Sequence, residues 1–331
     1  MSIRTIGTLD SGAAVETIAL AAGDLRAEVV TLGARLNDLR LAGTPWPLVL
    51  GAATLGGMTG PMRWFGAVVG PVANRLRGAH VEIAGRVHAL DANDGDACLH
   101  GGHAGTAARL WQIADTAPDR ATLTLTLEEG ACGLPGRREL RISYRIKPPA
   151  TLVVRLWATT DAPTLLNPAL HPYWNLDGTP DTGGHRLRIA ADHVLPTDAA
   201  HLPTGEIRPV AGPWDLRALR AVADLPPLDH NFCLAPSPRP LTEVAELRGA
   251  HGVCLRIATT APGLQVHDAR EMDTAPWPGL TGTPYGPRAG LALEPQMWPD
   301  APGRAGFPAI DCAAGGQWAQ ESRYRLVREE V

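Results

Sequence analysis

Ala121-Thr122-Leu123-Thr124-Leu125-Thr126-Leu127 alternates an apolar residue with threonine along its whole length. Side chains of a strand point to opposite faces at a period of two, so this stretch has one buried and one wet face. Threonine, branched at Cβ, fits the pleated backbone that the pattern requires. Working outward, Leu140, Ile142, Tyr144 and Ile146 interleave with Arg141, Ser143, Arg145 and Lys147, and residues 185–189, 253–257 and 323–327 alternate similarly. Residues 151–157 read as a more apolar strand, and 81–83 with 87–90 read as a hairpin about Ala84-Gly85-Arg86. Strands with one wet face belong to antiparallel sheets. Helical periodicity is scarce, with only 215–223 and 241–247 as short candidates. Many short strands, punctuated by 36 Gly and 30 Pro, predict a mainly β protein: a large antiparallel β-sandwich with few short helices.

No linker, composition break or internal repeat divides residues 1–331, which are expected to form a single domain. The Pro/Gly-rich stretch 275–289 is expected to be a long loop beside the site. Hydrophobic residues make up 45% and charged residues 19%, as in ordinary globular proteins. A net charge of −4 offers nucleic acid no basic footprint, so no such partner is expected. Lysine is nearly absent, which reads as compositional bias rather than phosphate recognition. The five cysteines lack C-x-x-C pairs, arguing against a disulfide scaffold or a zinc site. No signal peptide or membrane-spanning run is visible, so the expectation is a cytoplasmic protein without a membrane partner. Nine Trp stand against three Phe and four Tyr. Indoles cover the apolar face of a pyranose, a mild hint of carbohydrate binding, but core or rim packing is the expected role of most of them.

Phosphate-binding loops, nucleotide-binding glycine fingerprints, nucleophile elbows and H-E-x-x-H helices are absent from the sequence. His100-x-x-His103 has no third ligand at suitable spacing, so no metal is expected. What remains is a set of carboxylates, imidazoles and one arginine in turn-rich segments. Glu294 follows Leu291-Ala292-Leu293 and precedes Pro295, which places it at a strand end, projecting into a cleft or lying on the surface. His171 stands between Pro168 and Pro172, either packed or reactive. Arg75 reads as a solvated strand-end arginine or a ligand, and His100 and Asp229 as turn residues or ligands.

Taken together, these segments resemble the aldose 1-epimerase (galactose mutarotase) family. The stretch 65–76, ending in Ala73-Asn74-Arg75-Leu76, is similar to its Gly-rich signature. Asn93 with Leu99-His100-Gly101-Gly102 follows, then Asn167-x-x-x-His171-x-Tyr173-Trp174-Asn175-Leu176. Asp229-His230-Asn231-Phe232 and Leu293-Glu294-Pro295-Gln296 with Pro299-Asp300-Ala301-Pro302 complete the series, and the likeness covers about 66–308.

The resemblance implies a sandwich of the galactose mutarotase-like type and an isomerase needing no cofactor. Glu294 would be the general base at the anomeric hydroxyl and His171 the general acid at the ring oxygen. Arg75, His100 and Asp229 would hold sugar hydroxyls, with Asn74, Gln296 and Trp174 as further contacts. The expected partner is a monosaccharide (galactose, glucose or a pentose) bound by a monomer or homodimer. The chemistry agrees on its own terms: a histidine of reference pKa about 6.5 exchanges protons near neutrality, and a glutamate of about 4.3 is ionised there. Departures are Pro71 for the usual arginine, no aromatic in Gly105-Thr106-Ala107, Gly303 for asparagine, and Val266-His267-Asp268 for a tyrosine-containing strand. A mutarotase for a phosphorylated sugar would want further arginines at the cleft. A non-catalytic sugar-binding module would need no acid/base pair.

Overall fold

A computed structural model describes residues 2–329. The opening alternation becomes the strand Arg120–Leu127, with Ala121, Leu123 and Leu127 fully buried. It pairs residue for residue with Arg138–Lys147, which pairs with Thr151–Thr160, which pairs with the long strand Gln317–Arg328. Val253–Thr259, Thr242–Arg248, Arg186–Ile189 and Arg220–Ala221 continue this nine-stranded antiparallel sheet on one side, and Gln112–Ala117 closes the other. A four-stranded sheet is built from Ser2–Thr8, Ala14–Ala22, Leu25–Val30 and Arg35–Leu41.

A six-stranded sheet packs on the nine-stranded one. Its order is Tyr173–Trp174, Leu291–Gln296, Gly263–His267, Asp229–Cys233, His193–Leu195 and Arg208–Pro209. Apolar residues of both sheets share one core, which includes Ile142, Leu152, Leu264, Leu291, Leu293 and Tyr324. Trp174 meets Tyr324 at 5.2 Å across the interface, and the Gln320 side-chain amide donates to the Pro295 carbonyl at 2.9 Å. This sheet-on-sheet architecture is the predicted β-sandwich.

The hairpin forms from His80–Ile83 and Arg86–Ala89. Ala84 and Gly85 both take positive φ, 51° and 76°, as a tight two-residue hairpin turn requires. The two helix candidates do not form. Residues 241–247 fall in the strand Thr242–Arg248, whose register shifts at a bulge between Glu243 and Ala245. The extra residue breaks the period of two and places Leu241, Val244 and Leu247 at helix-like spacing. Residues 215–223 instead carry a short edge strand, Arg220–Ala221, and the start of a 3-10 turn, Val222–Asp224. The α-helix among the described residues is Leu55–Thr59, begun by the Thr54 hydroxyl accepting from the Gly57 amide.

Candidate active site

Alternation along the six-stranded sheet decides which side chains meet. In the strand Leu291–Gln296, Leu291 and Leu293 turn to the core, so Ala292, Glu294 and Gln296 turn the other way. Glu294 therefore lies inside the strand and only 2% exposed, not at a strand end as its sequence context suggested. Pro295 is tolerated there because the neighbour Tyr173–Trp174 pairs only with Ala292 and Leu291, leaving no ladder bond for the missing N–H. The same rule separates Tyr173 from Trp174. Tyr173 lines the cavity, whereas Trp174 is fully buried in the core and makes no wall of the site. The expected contact from Trp174 is corrected accordingly.

The cavity, about 80 Å³, is lined by Glu294, His171, Arg75, Asn74, His100 and Asp229, joined by Trp64, Leu99, Tyr173 and His267. Its centre is an acid/base pair, with Glu294 Oε1 3.5 Å from His171 Nε2. His171 is fixed by its backbone, whose N–H donates to Ala67 (3.0 Å) and whose carbonyl accepts from Gly66 (2.8 Å). Its ring stands 5.3 Å from that of His100 and 5.0 Å from that of Tyr173.

Burial governs the protonation of both groups. Desolvation, then the nearby Asp229 charge, raises the Glu294 carboxyl well above its usual range, against a smaller pull from Arg75. Desolvation, then His267, depresses His171 to about 3. Each member of the pair is thus driven toward its neutral form.

Around this centre the polar groups hold one another. The Asn74 N–H donates to His100 Nδ1 at 3.0 Å, leaving Nε2 of His100 to carry the proton as a donor. Burial, then His171 and Arg75, lowers His100 well below its ordinary pKa and keeps it neutral. Arg75 Nε lies 2.7 Å from Asp94 Oδ2, and its Nη1 lies 3.3 Å from Asp229 Oδ2. Asp229 Oδ1 accepts from Gln265 Nε2 at 2.6 Å. Burial alone would raise Asp229, but His267, Arg75, His201 and Gln265 outweigh it and hold the carboxylate below its ordinary range. Arg75 is paired with two carboxylates, and among the described residues it is the arginine lining this cavity, whereas a phosphorylated sugar would want a cluster.

Gln296 is fully buried two residues beyond Glu294 on the same face and is not part of the cavity wall. Sequence reasoning missed Gln265, Asp94, Trp64 and Tyr173 as members of the site. Gln265 and His267 alternate with the buried Leu264 and Val266, a polar face on an otherwise core strand, and that signal was legible. Trp64 meets the edge of His100 at 5.1 Å and carries Arg63 over its ring at 4.3 Å, contacts with no sequence signature. His103 lies outside, exposed and 2.8 Å from Asp91. Among the described residues no group of three or more His, Cys, Asp or Glu is placed to hold a metal ion.

The departures from the family pattern scatter. His267 lines the cavity, and Ala107 lines an adjoining one of about 220 Å³ that also touches Trp64 and His100. Gly303 sits in an exposed turn, and Pro71 accepts the Asn167 N–H away from the cavity. The stretch 275–289 is a loop whose Tyr285 stacks on Phe65, itself against Tyr173. No helix among the described residues is long and apolar enough to cross a membrane.

A sequence model of the aldose 1-epimerase family matches residues 16–325. Galactose mutarotase of Rattus norvegicus is 32% identical over 337 residues, spanning 98% of each chain. Aldose 1-epimerase of Escherichia coli is 30% identical over 322 residues, spanning 91% of this chain and 92% of its own. The solved aldose epimerase homologue from C. elegans superposes with a TM-score of 0.88 at 27% identity, over 95% of this chain and 99% of its own. Fold and sequence agree, and this chain belongs to the aldose 1-epimerase family and is an isomerase of that class.

Proposed function

We propose that the protein interconverts the α and β anomers of a free aldose, a hexose or pentose, by opening and reclosing its ring. The observation that carries this reading is the buried Glu294–His171 pair, 3.5 Å apart and ringed by Arg75, His100 and Asp229. Anomerisation needs one proton removed from the anomeric hydroxyl and one delivered to the ring oxygen. The pair has one proton to move between its members and no net demand for another.

Burial keeps the pair neutral before sugar arrives. Sugar hydroxyls donating to the carboxylate then stabilise its ionised form, so the proton passes to His171. Glu294 takes the anomeric proton while His171 protonates the ring oxygen, and the C1–O5 bond breaks to give the open aldehyde. Rotation about C1–C2 presents the other carbonyl face, and reclosure reverses the two proton transfers. Arg75 and Asp229 hold hydroxyls through charge-assisted hydrogen bonds, and His100 donates from Nε2. Galactose mutarotase and aldose 1-epimerase, the activities named for the relatives, fit this scheme, and no cofactor enters it.

The test is the optical rotation of freshly dissolved α-D-galactose, α-D-glucose and L-arabinose with and without the protein. Acceleration over the spontaneous rate, lost in Glu294→Gln, is the expected result and ranks the sugars. No acceleration with any of them, or a fully active Glu294→Gln, overturns the reading.

A further inference from the structure

Beside the cavity of Glu294 and His171 lies a second one whose charged group the reaction above does not use. The first, about 80 Å³, has the volume of about three waters at about 30 Å³ each. A hexose is larger than that, so a sugar reacting at Glu294 extends beyond it. Trp64 and His100 line both this cavity and the adjoining one of about 220 Å³, whose other walls include Leu32, Met58, Arg63 and Ala107.

The wall that carries Arg63 is built around another arginine. Arg35 is fully buried, and among the described residues it has no carboxylate partner. Its Nε donates to the Leu32 carbonyl at 2.8 Å, Nη1 to that of Met62 at 3.2 Å, and Nη2 to those of Met58 at 3.4 Å and Arg63 at 3.3 Å. One guanidinium thus ties together the backbone of three lining residues, Leu32, Met58 and Arg63. The Arg63 guanidinium lies over the Trp64 ring, 4.3 Å from its centre, a cation–π contact that restrains it without using its N–H groups. Among the described residues Arg63 has no ion pair, and no carboxylate lines this cavity. The other polar groups are committed: the Asn93 amide bonds the Leu99 backbone twice, and His103 is paired with Asp91. Arg75 next door is shared by Asp94 and Asp229, so Arg63 is the cation of this region with free donors.

We propose that the adjoining cavity is a binding site for the carboxylate of an acidic aldose, with Arg63 as the residue that selects it. A carboxylate matches the guanidinium fork with two parallel N–H···O bonds. A phosphate carries more charge and would want a second free cation, which this cavity does not offer among the described residues. The carboxylate sits either on the aldose itself, as in a hexuronic acid, or on a second sugar unit attached to it. The cavity has volume for both, and Leu32, Met58 and Ala107 give an attached unit apolar surface to cover.

The proposal rests on the protein being a mutarotase, and the experiment separates the two. Polarimetry gives kcat and KM for galactose, galacturonate, glucuronosyl-galactose and glucose 6-phosphate, with the wild type and Arg63→Met. Thermal melting is the check on folding. Arg63→Met keeps an apolar chain against Trp64 and removes the charge. At least one of the two carboxylate sugars should be a wild-type substrate whose KM rises about tenfold in Arg63→Met, as loss of a hydrogen bond to a charged group predicts. Galactose should change by less than about twofold. Whichever acidic sugar responds tells where the carboxylate sits. High salt should raise the same KM in the wild type, which keeps the test decisive if Arg63→Met does not fold. Turnover of galactose but of neither acidic sugar overturns the proposal. So does an equal loss for galactose and the acidic sugars, or dependence on Arg63 with glucose 6-phosphate alone. No acceleration of any of the four sugars would instead bring down the mutarotase reading, and this proposal with it.

Discussion

The nine-stranded and six-stranded sheets obey the same alternation but use their second face differently. The outer face of the nine-stranded sheet meets solvent and carries a ladder of ion pairs, such as Arg155–Glu321 at 2.5 Å, Arg323–Glu321 at 2.7 Å and Arg325–Glu243 at 3.6 Å. The six-stranded sheet has its second face covered by the segments that bring in Arg75, His100 and His171, and there it holds Glu294, Gln265, Asp229 and His267. Charges facing water cost little and contribute little. Polar groups sealed between layers are costly to bury, and the same desolvation shifts their proton affinities toward what catalysis uses. Adjacent residues of one strand thus face opposite ways: Leu293 packs into the core, and Glu294 lines the cavity where the proposed base would act.

Breaking that contrast at its sharpest point gives the largest effect. Glu294→Gln should lower mutarotation turnover by about 10²–10⁴-fold, the usual worth of one positioned acid or base, and leave the melting temperature unchanged or raised. Leu293→Ala should do the reverse, losing about 2–5 kcal/mol of stability with little change in kcat per folded molecule. Chemical denaturation and stopped-flow polarimetry on both variants check this, and a shared phenotype would dissolve the comparison. Arg75→Ala should raise KM by about ten- to a hundredfold, since a hydrogen bond to a charged group contributes about 1.5–3 kcal/mol. An unaltered KM would place Arg75 outside the sugar's reach.

Acid stability sharpens the same contrast. His171 is held at about 3 and His230 at about 4, both below the 6.5 of an unfolded histidine. A depressed folded pKa means that the unfolded chain binds more protons, so stability is present above about pH 6.5 and drains as pH falls toward the folded values. The melting temperature should therefore fall from pH 7 to pH 5, and less steeply in His171→Asn; parallel slopes would refute the burial argument. The smallest effect belongs to the wet face. Arg155→Ala should cost at most about 1 kcal/mol, and less at high salt.

Much of this was legible in the chain. The period of two named the sheets because burying one face of a strand requires it. Where a bulge at Glu243/Ala245 interrupts that period, residues 241–247 imitate a helix. Glu294, His171, Arg75, His100, Asp229 and Asn74 were readable as members of one series, and the structure gathers all of them around one cavity. Trp174 failed by one residue. Its neighbour Tyr173 faces the cavity, and a motif records that two aromatics are adjacent but not which way the strand turns them.

The sequence by itself determined the sheet-rich class, the family and the residue types able to do acid/base work, because these follow from local periodicity and side-chain chemistry. Tertiary structure alone decided which of those residues are sealed from water, which tautomer His100 holds through the Asn74 amide, and which partners neutralise Arg75. It also decided that Glu294 and His171 meet at 3.5 Å although they stand far apart in the chain. Desolvation and proximity depend on every layer packed around a group, and no local stretch of sequence encodes them.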